Sequence, residues 1–249
     1  MKTFKNYWQA GINILFPNQC LGCRTDIPYD HLSPLCALCW EKIVPFADPV
    51  CQKCGAPLPD GGRHCFSCKK NPPAFTKALS ASIYAGPMKE LIRSFKYKGK
   101  DFLACLLAGF LFKVWLRNEP FQDCEGLVPV PLHSAQERER GYNQSRLLAL
   151  ELQKIIQEYY LESGRTAPLV LNNLLIRKKN TSSQTLLSKA ERAQNVAGAF
   201  ALNQTQKLEY RSVLLIDDVS TTGATLNECA QLLRGAGVQN VYGLSLAKD

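Results

Sequence analysis

The sequence has no apolar run long enough to cross a bilayer: the longest, residues 102–116, falls short of the ~20 residues that a spanning helix needs. No membrane span is expected. The opening MKTFKNYWQAGINILF lacks an uninterrupted apolar core and a small-residue cleavage site, so it does not read as a secretory signal. These absences point to the cytoplasm, where thiols stay reduced and a cysteine-rich stretch binds metal more often than it forms disulfides. Negative charge is also scarce, with 21 acidic against 30 basic residues and a net charge of +9. That balance suits polyanionic partners such as nucleic acid or phosphate-rich ligands, or else a solvated basic surface. Two nucleotide fingerprints are missing. Gly223 is not followed by Lys-Ser or Lys-Thr, and no G-x-G-x-x-G occurs, which argues against P-loop hydrolysis and against a dinucleotide site.

What is present is enough apolar material, 46% of 249 residues, for one full core and a small satellite module. Phe4, Trp8, Ile12 and Leu15 recur at helical spacing before Pro17, which predicts an amphipathic helix over residues 1–18 that docks on the body. A cysteine module follows over 19–70, and Asn71-Pro72-Pro73 marks a boundary before a larger domain over 76–249. In that domain 79–84 reads as a strand, 87–95 as a short helix and 101–116 as a helix capped by Asp101 and apolar nearly all round. Residues 127–130 read as a strand and 143–160 as an amphipathic helix carrying Leu148, Leu152, Ile155 and Tyr159 on one face. Ser188 to Glu191 has the spacing of a capping box. A short strand at 198–201, a wholly apolar strand at 213–216, a helix at 223–234 and a strand at 241–246 complete the alternation. Strands alternating with helices predict an α/β domain whose open, mainly parallel sheet takes ligands at the carboxyl ends of its strands.

Eight of the eleven cysteines form four C-x-x-C pairs: Cys20/Cys23, Cys36/Cys39, Cys51/Cys54 and Cys65/Cys68. One such turn offers two thiolates to a tetrahedral ion, and two pairs complete a structural four-sulfur zinc site with no position left for water. Eight ligands predict two zinc ions. The spacings favour two sequential zinc ribbons, with interleaving of the four pairs as the alternative.

The most informative stretch is Val213-Leu214-Leu215-Ile216-Asp217-Asp218-Val219-Ser220-Thr221-Thr222-Gly223-Ala224-Thr225. An apolar strand ends in two acids, and small hydroxyl residues with a glycine then open a helix. Backbone N–H groups and hydroxyls at a helix N-terminus suit a phosphate dianion, and the carboxylates before them can accept hydrogen bonds from vicinal ribose hydroxyls. The stretch resembles the signature of the type I phosphoribosyltransferases. That resemblance implies that Asp217 and Asp218 hold the ribose, and that Ser220, Thr221, Thr222, Gly223, Ala224 and Thr225 cradle its 5′-phosphate.

A bound phosphoribosyl diphosphate with its magnesium needs positive groups near the diphosphate. Three basic segments could supply them: one at 95–100 with Lys96 and Lys98, one at 128–144 with His133, Arg138 and Arg140, and one at 177–195 with Gln184, Arg192 and Asn195. Pro129 and Pro131 lack N–H donors and predict an irregular loop rather than a regular central strand. The cysteine pairs, Lys96-Tyr97-Lys98-Gly99, Val128-Pro129-Val130-Pro131-Leu132-His133 with Arg138-Glu139-Arg140-Gly141-Tyr142-Asn143-Gln144, and the acid-hydroxyl loop together resemble the ComF family of competence-associated phosphoribosyltransferase-like proteins from Phe16 to Lys248. The resemblance implies a type I phosphoribosyltransferase-like sheet beside a zinc-ribbon module. It also implies a diphosphate loop that includes His133, Arg138 and Arg140.

Two functions follow as expectations. In the first, phosphoribosyl diphosphate binds with magnesium and diphosphate leaves as a nucleophile attacks the anomeric carbon, helped by positioning and charge stabilisation. In the second, the chain binds single-stranded DNA, as the family's role in natural transformation implies, with helicase-type DNA-uptake partners and a ribose-phosphate pocket kept without catalysis.

Overall fold

A computed structural model describes residues 18–28, 33–46, 49–97, 99–179, 197–203 and 208–249. The N-terminal helix, the capping box at 188–191, and Lys98, Gln184, Arg192 and Asn195 lie outside them.

Chain order begins with two short strands, β1 (Asn18–Gln19) and β2 (Asp26–Ile27), and the short helices α1 (Ala37–Glu41) and α2 (Phe66–Lys70) of the cysteine module. The body then runs β3 (Lys77–Ile83), α3 (Gly86–Tyr97), α4 (Leu103–Leu116), α5 (Glu119–Gln122), β4 (Gly126–Pro129), α6 (Ser134–Arg140) and α7 (Gln144–Tyr159). It ends with β5 (Leu169–Val170), β6 (Leu175–Arg177), β7 (Phe200–Leu202), β8 (Ser212–Ser220), α8 (Ala224–Gly235) and β9 (Asn240–Lys248). Five strands make one sheet in the order β3-β9-β8-β4-β5, every pair parallel. Val213 to Ile216 are fully buried in its middle, as an unbroken apolar run requires when helices cover both faces. One face packs on α3, α4 and α7 through Leu91, Leu107, Leu148 and Leu152; the other packs on α8 through Leu226, Ala230 and Leu233.

The details differ from the sequence expectation in four places. Helix α4 starts at Leu103 with Phe102 as its N-cap: the Asp101 carboxylate accepts from the neighbouring Phe102 N–H (3.0 Å), and no side chain caps the first helical N–H groups. Its all-round apolarity has two uses: Leu107 and Leu111 enter the core, while Phe110 stacks on Trp40 of the cysteine module (centroids 5.8 Å apart). Pro129 does belong to the ladder, paired with Ile216. Val130 N–H donates toward β8 (2.9 Å), so alternation turns the Pro129 nitrogen toward β5, whose pairing has already stopped at Val170. Strand β8 continues through both acids to Ser220, because β9 runs alongside it as far as Lys248. Finally, residues 175–177 leave the main sheet and pair antiparallel with β7, which spans 200–202 where 198–201 is expected.

The cysteine module is built onto the sheet edge. Ile83 N–H donates to Val44 O (3.1 Å), and Ala78 N–H to Lys53 O (2.7 Å), so module backbone extends the outer edge of β3. Cys20, Leu21, Leu35 and Cys39 share one core cluster with α3, α4 and α7. Among the described residues no helix is long and apolar enough to cross a membrane.

Candidate ligand site and metal centres

A cavity of about 720 Å³ opens at the carboxyl ends of β3, β4 and β8, the place where open α/β sheets take ligands. Local sequence sets its walls. Helix α6 ends at Gly141, whose φ of 83° turns the chain back, and Tyr142 then donates from its hydroxyl to Phe95 O at the end of α3. Asn143 caps α7 by accepting from Arg146 N–H (3.2 Å) and donates to Val130 O (3.1 Å). Those bonds draw α3, the loop after β4 and the start of α7 around the end of β8.

Asp217 and Asp218 lie on the floor, about nine-tenths buried. Lys96 Nζ sits 2.7 Å from Asp218 Oδ1. Ser145 Oγ donates to Asp217 Oδ1 (3.2 Å), and so does Asp218 N–H (2.9 Å). Burial and the adjoining Asp218 carboxylate push the Asp217 carboxyl up to about 7, against the pull of Lys96 and these two donors. Burial pulls the Lys96 ammonium down, yet Asp218 and Asp217 together outweigh it and hold it above its ordinary range. The group therefore gathers compensated charge in a half-closed pocket, a pattern common at functional sites.

The hydroxyl loop divides its labour. Thr221 and Thr225 line the cavity. Gly223 is the N-cap of α8 at φ 78°, a left-handed conformation that glycine adopts without strain. Thr222 Oγ1 accepts from Ala224 N–H (3.3 Å) and fixes the turn, while Ser220 is buried in the ladder opposite Lys248. Of the basic residues singled out in the sequence, Lys96 and Arg140 line the cavity. Arg140 stacks over Tyr97 (4.8 Å) and donates to Gln144 Oε1 (3.2 Å).

Arg138 does not join them. It is exposed and absent from the lining, because residues two apart on a helix project to nearly opposite sides. His133 Nδ1 accepts from Ala135 N–H (3.2 Å), so its ring caps α6. Sequence reasoning missed Tyr84, Gln144, Ser145 and Arg177, which also line the cavity. Gln144 is buried with its Nε2 unpartnered, and burial lowers the Arg177 guanidinium, which lies over the Phe200 ring (5.4 Å). Gln144 stood within the quoted motif and Arg177 opened the third basic segment. For Ser145, whose partner is 72 residues away, the sequence carried no signal.

The cysteines gather as two sets, Cys20/Cys23/Cys36/Cys39 and Cys51/Cys54/Cys65/Cys68, with all Sγ atoms of a set within 4.8 Å of one another. This is the sequential arrangement. Cys23 and Cys36 Sγ are 3.7 Å apart, as are Cys54 and Cys65 Sγ, close to the about 3.8 Å between thiolates on a tetrahedral ion with ~2.3 Å bonds. Backbone N–H groups of Cys36 and Cys65 donate to Cys20 and Cys51 Sγ (3.3 Å each), which favours thiolates there. Both sets fit structural zinc.

Sheet and ribbons together define a phosphoribosyltransferase-type protein with a double zinc ribbon. Residues 11–69 match the double zinc ribbon domain and residues 149–246 the phosphoribosyl transferase domain. The chain is 34% identical over 239 residues to competence protein F of Haemophilus influenzae, covering 94% of this chain and 98% of that protein. It is 29% identical over 233 residues to the DNA utilization protein YhgH of Escherichia coli (92% and 96% covered). Competence protein ComFC of Bacillus subtilis is 26% identical over 209 residues (82% and 79% covered). The chain belongs to this competence protein F, or ComF, family.

Proposed function

We propose that the cavity binds phosphoribosyl diphosphate, or a related ribose phosphate, together with magnesium, and that the protein serves the handling of single-stranded DNA in the cytoplasm beside helicase-type partners. The observation that carries the ligand is the juxtaposition of the buried Asp217/Asp218 pair with Thr221 and Thr225 at the start of α8 in one cavity. The carboxylates accept from ribose hydroxyls, the hydroxyls and helix start take the 5′-phosphate, and Lys96, Arg140 and Arg177 face the diphosphate. Magnesium takes oxygen ligands and usually shares them with substrate phosphates; Asp217 and Asp218 are the hard donors at hand, and the ion would neutralise diphosphate charge. The test is calorimetric titration of the zinc-loaded protein with phosphoribosyl diphosphate and magnesium, beside the Asp217→Asn/Asp218→Asn double variant. Binding by the wild type and none by the variant is expected; a folded wild type that binds nothing overturns the reading.

The DNA role rests on the names of the relatives and on a second cleft. Between the ribbons and β3 lies a space of about 820 Å³ bordered by Lys77, Lys113, Arg117 and Phe110, with no carboxylate among its described lining residues. Cations beside an aromatic ring suit a nucleic-acid single strand. Replacing the three cations with glutamine should weaken binding of a single-stranded oligonucleotide and reduce its salt dependence by up to about three phosphate contacts. Unchanged affinity and salt slope would place the DNA elsewhere.

A further inference from the structure

The second ribbon reaches the hydroxyl loop through the segment that follows its last cysteine. Its knuckle residue Lys53 accepts from Ala78 N–H through its carbonyl (2.7 Å) and donates from Nζ to Phe75 O (3.3 Å). The buried Phe75 ring lies under Gly223: a Cβ built there would meet Phe75 Cε1 and Cζ at 3.7 Å. One residue earlier, Ala74 N–H donates to Asn227 Oδ1 in the first turn of α8 (2.7 Å). Gly55, at φ 66°, brings the knuckle so close to β3 that a Cβ would stand 2.9 Å from Ala78 O. Cys54 packs against the same core cluster as Phe75 and Leu226, and Lys248 of β9 donates to Thr221 O (3.3 Å). The first ribbon lies elsewhere, with Cys20 and Cys39 in the core on the opposite face of the sheet.

We infer that the second zinc centre is the back wall of the hydroxyl loop: through Lys53 and Phe75 as positioning residues it holds Thr221 to Thr225 in the conformation that receives phosphate. Two links tie this ribbon to the loop and the helix it opens: Lys53 through Phe75 to Gly223, and Ala74, in the segment that leaves the ribbon, to Asn227 of α8. A turn with glycine in the left-handed region has several backbone states open to it, so packing beneath it decides which is populated. Preorganisation of that kind appears in affinity, because a loop ordered before binding does not have to be ordered by the ligand. The first ribbon, by contrast, packs on α4 through Trp40 and Phe110, and none of the hydrogen bonds of its described residues reaches the loop.

The inference rests on the ribose-phosphate reading for its affinity readout, and amide exchange gives it a second readout that does not. The full zinc-loaded chain and the variants Lys53→Met, Lys53→Arg, Phe75→Leu, Cys68→Ser and Trp40→Leu are titrated with phosphoribosyl diphosphate and magnesium. Zinc content, melting temperature and hydrogen exchange over 221–225 are followed without ligand. Lys53→Met and Phe75→Leu should keep two zinc ions and lose about fivefold in affinity, about 1 kcal/mol, with faster exchange in the loop; Lys53→Arg should restore both. Cys68→Ser should lose one zinc and show the largest effect. Trp40→Leu, which unstacks the first ribbon from Phe110, should leave affinity and loop exchange unchanged. The inference is overturned if Lys53→Met and Phe75→Leu leave loop exchange at the wild-type rate, or if Trp40→Leu quickens it as much as they do. A wild type that binds no ribose phosphate would sink the reading of the pocket alone, and the exchange comparison would still decide the role of the second ribbon.

Discussion

Replacing Lys96 with methionine tests the electrostatic design of the cavity floor. The Lys96–Asp218 pair is short, at 2.7 Å, and its side chains are only 17% and 12% exposed. Removing one partner of a buried pair typically costs ~3–5 kcal/mol, because the other is left uncompensated. The acid pair has an escape, which is to take up a proton. For a carboxyl with an ordinary pKa of ~3.9 that escape costs about 4 kcal/mol at pH 7, since each pH unit is worth about 1.4 kcal/mol. The expected loss at pH 7 is therefore about 3–4 kcal/mol, a fall in melting temperature of roughly 6–16 °C for a chain of this size. The sign of the pH dependence follows. The folded variant holds a proton that the unfolded chain releases, so its deficit relative to the wild type grows as pH rises and shrinks as pH falls. Adding Asp218→Asn removes the stranded charge and should recover most of the loss, with a coupling of at least about 2 kcal/mol. The assay is thermal and urea denaturation of wild type, both single variants and the double variant in zinc-containing buffer at about pH 6 and about pH 8. A Lys96→Met loss below about 1 kcal/mol at both pH values, or strictly additive variants, would refute the reasoning.

Further outcomes follow from the same floor and its surroundings. Because the Asp217 carboxyl is pushed up to about 7 by burial and by Asp218, ribose-phosphate affinity should rise as pH increases through that value. Asp217→Asn should flatten this rise in calorimetric titrations. The same raised carboxyl lowers folding stability as it ionises, so the contribution of Asp217, read as wild type minus Asp217→Asn in denaturation, should decline as pH rises from its unfolded value near ~3.9 to about 7 and then level. Gly223→Ala meets only ordinary contacts at 3.7 Å, so its penalty comes from the left-handed backbone, about 1–2 kcal/mol by denaturant midpoint. Gly22→Ala would drive a Cβ to 2.8 Å from Cys39 Sγ and should release zinc from the first site, leaving one ion per chain by metal analysis.

Much of this arrangement was legible because it depends on local spacing. A C-x-x-C pair fixes two thiols within one turn, and two sequential ribbons need only neighbouring pairs, so all eight ligands could be read directly. The run at 213–216 was equally plain, since a strand covered on both faces has to be apolar throughout. What could not be read depends on contacts distant in sequence. The extension of β8 through Asp217 and Asp218 comes from the length of β9, and the separation of β6 from the main sheet comes from its pairing with Phe200, 23 positions beyond Arg177. The charge list at 137–140 held both Arg138 and Arg140, but only helical geometry decides that Arg140 alone meets Tyr97 and Gln144.

The position of the ribbons on the edge of β3 also explains why so small a module persists beside a full core. A bare edge strand presents unpaired backbone groups and invites association with other chains. Here Val44 and Lys53 accept from Ile83 and Ala78, and metal crosslinks give the two ribbons the rigidity that a module of this size cannot draw from apolar burial. Strand β3 in turn carries Tyr84 at its end and leads into α3, which delivers Lys96 to Asp218. Metal removal should therefore be felt first at the sheet edge and the cavity. Hydrogen exchange after chelation should quicken at Ala78 and Ile83 before it quickens at Val213 to Ile216, and simultaneous loss across the whole sheet would show that the ribbons are part of a single cooperative unit with the core.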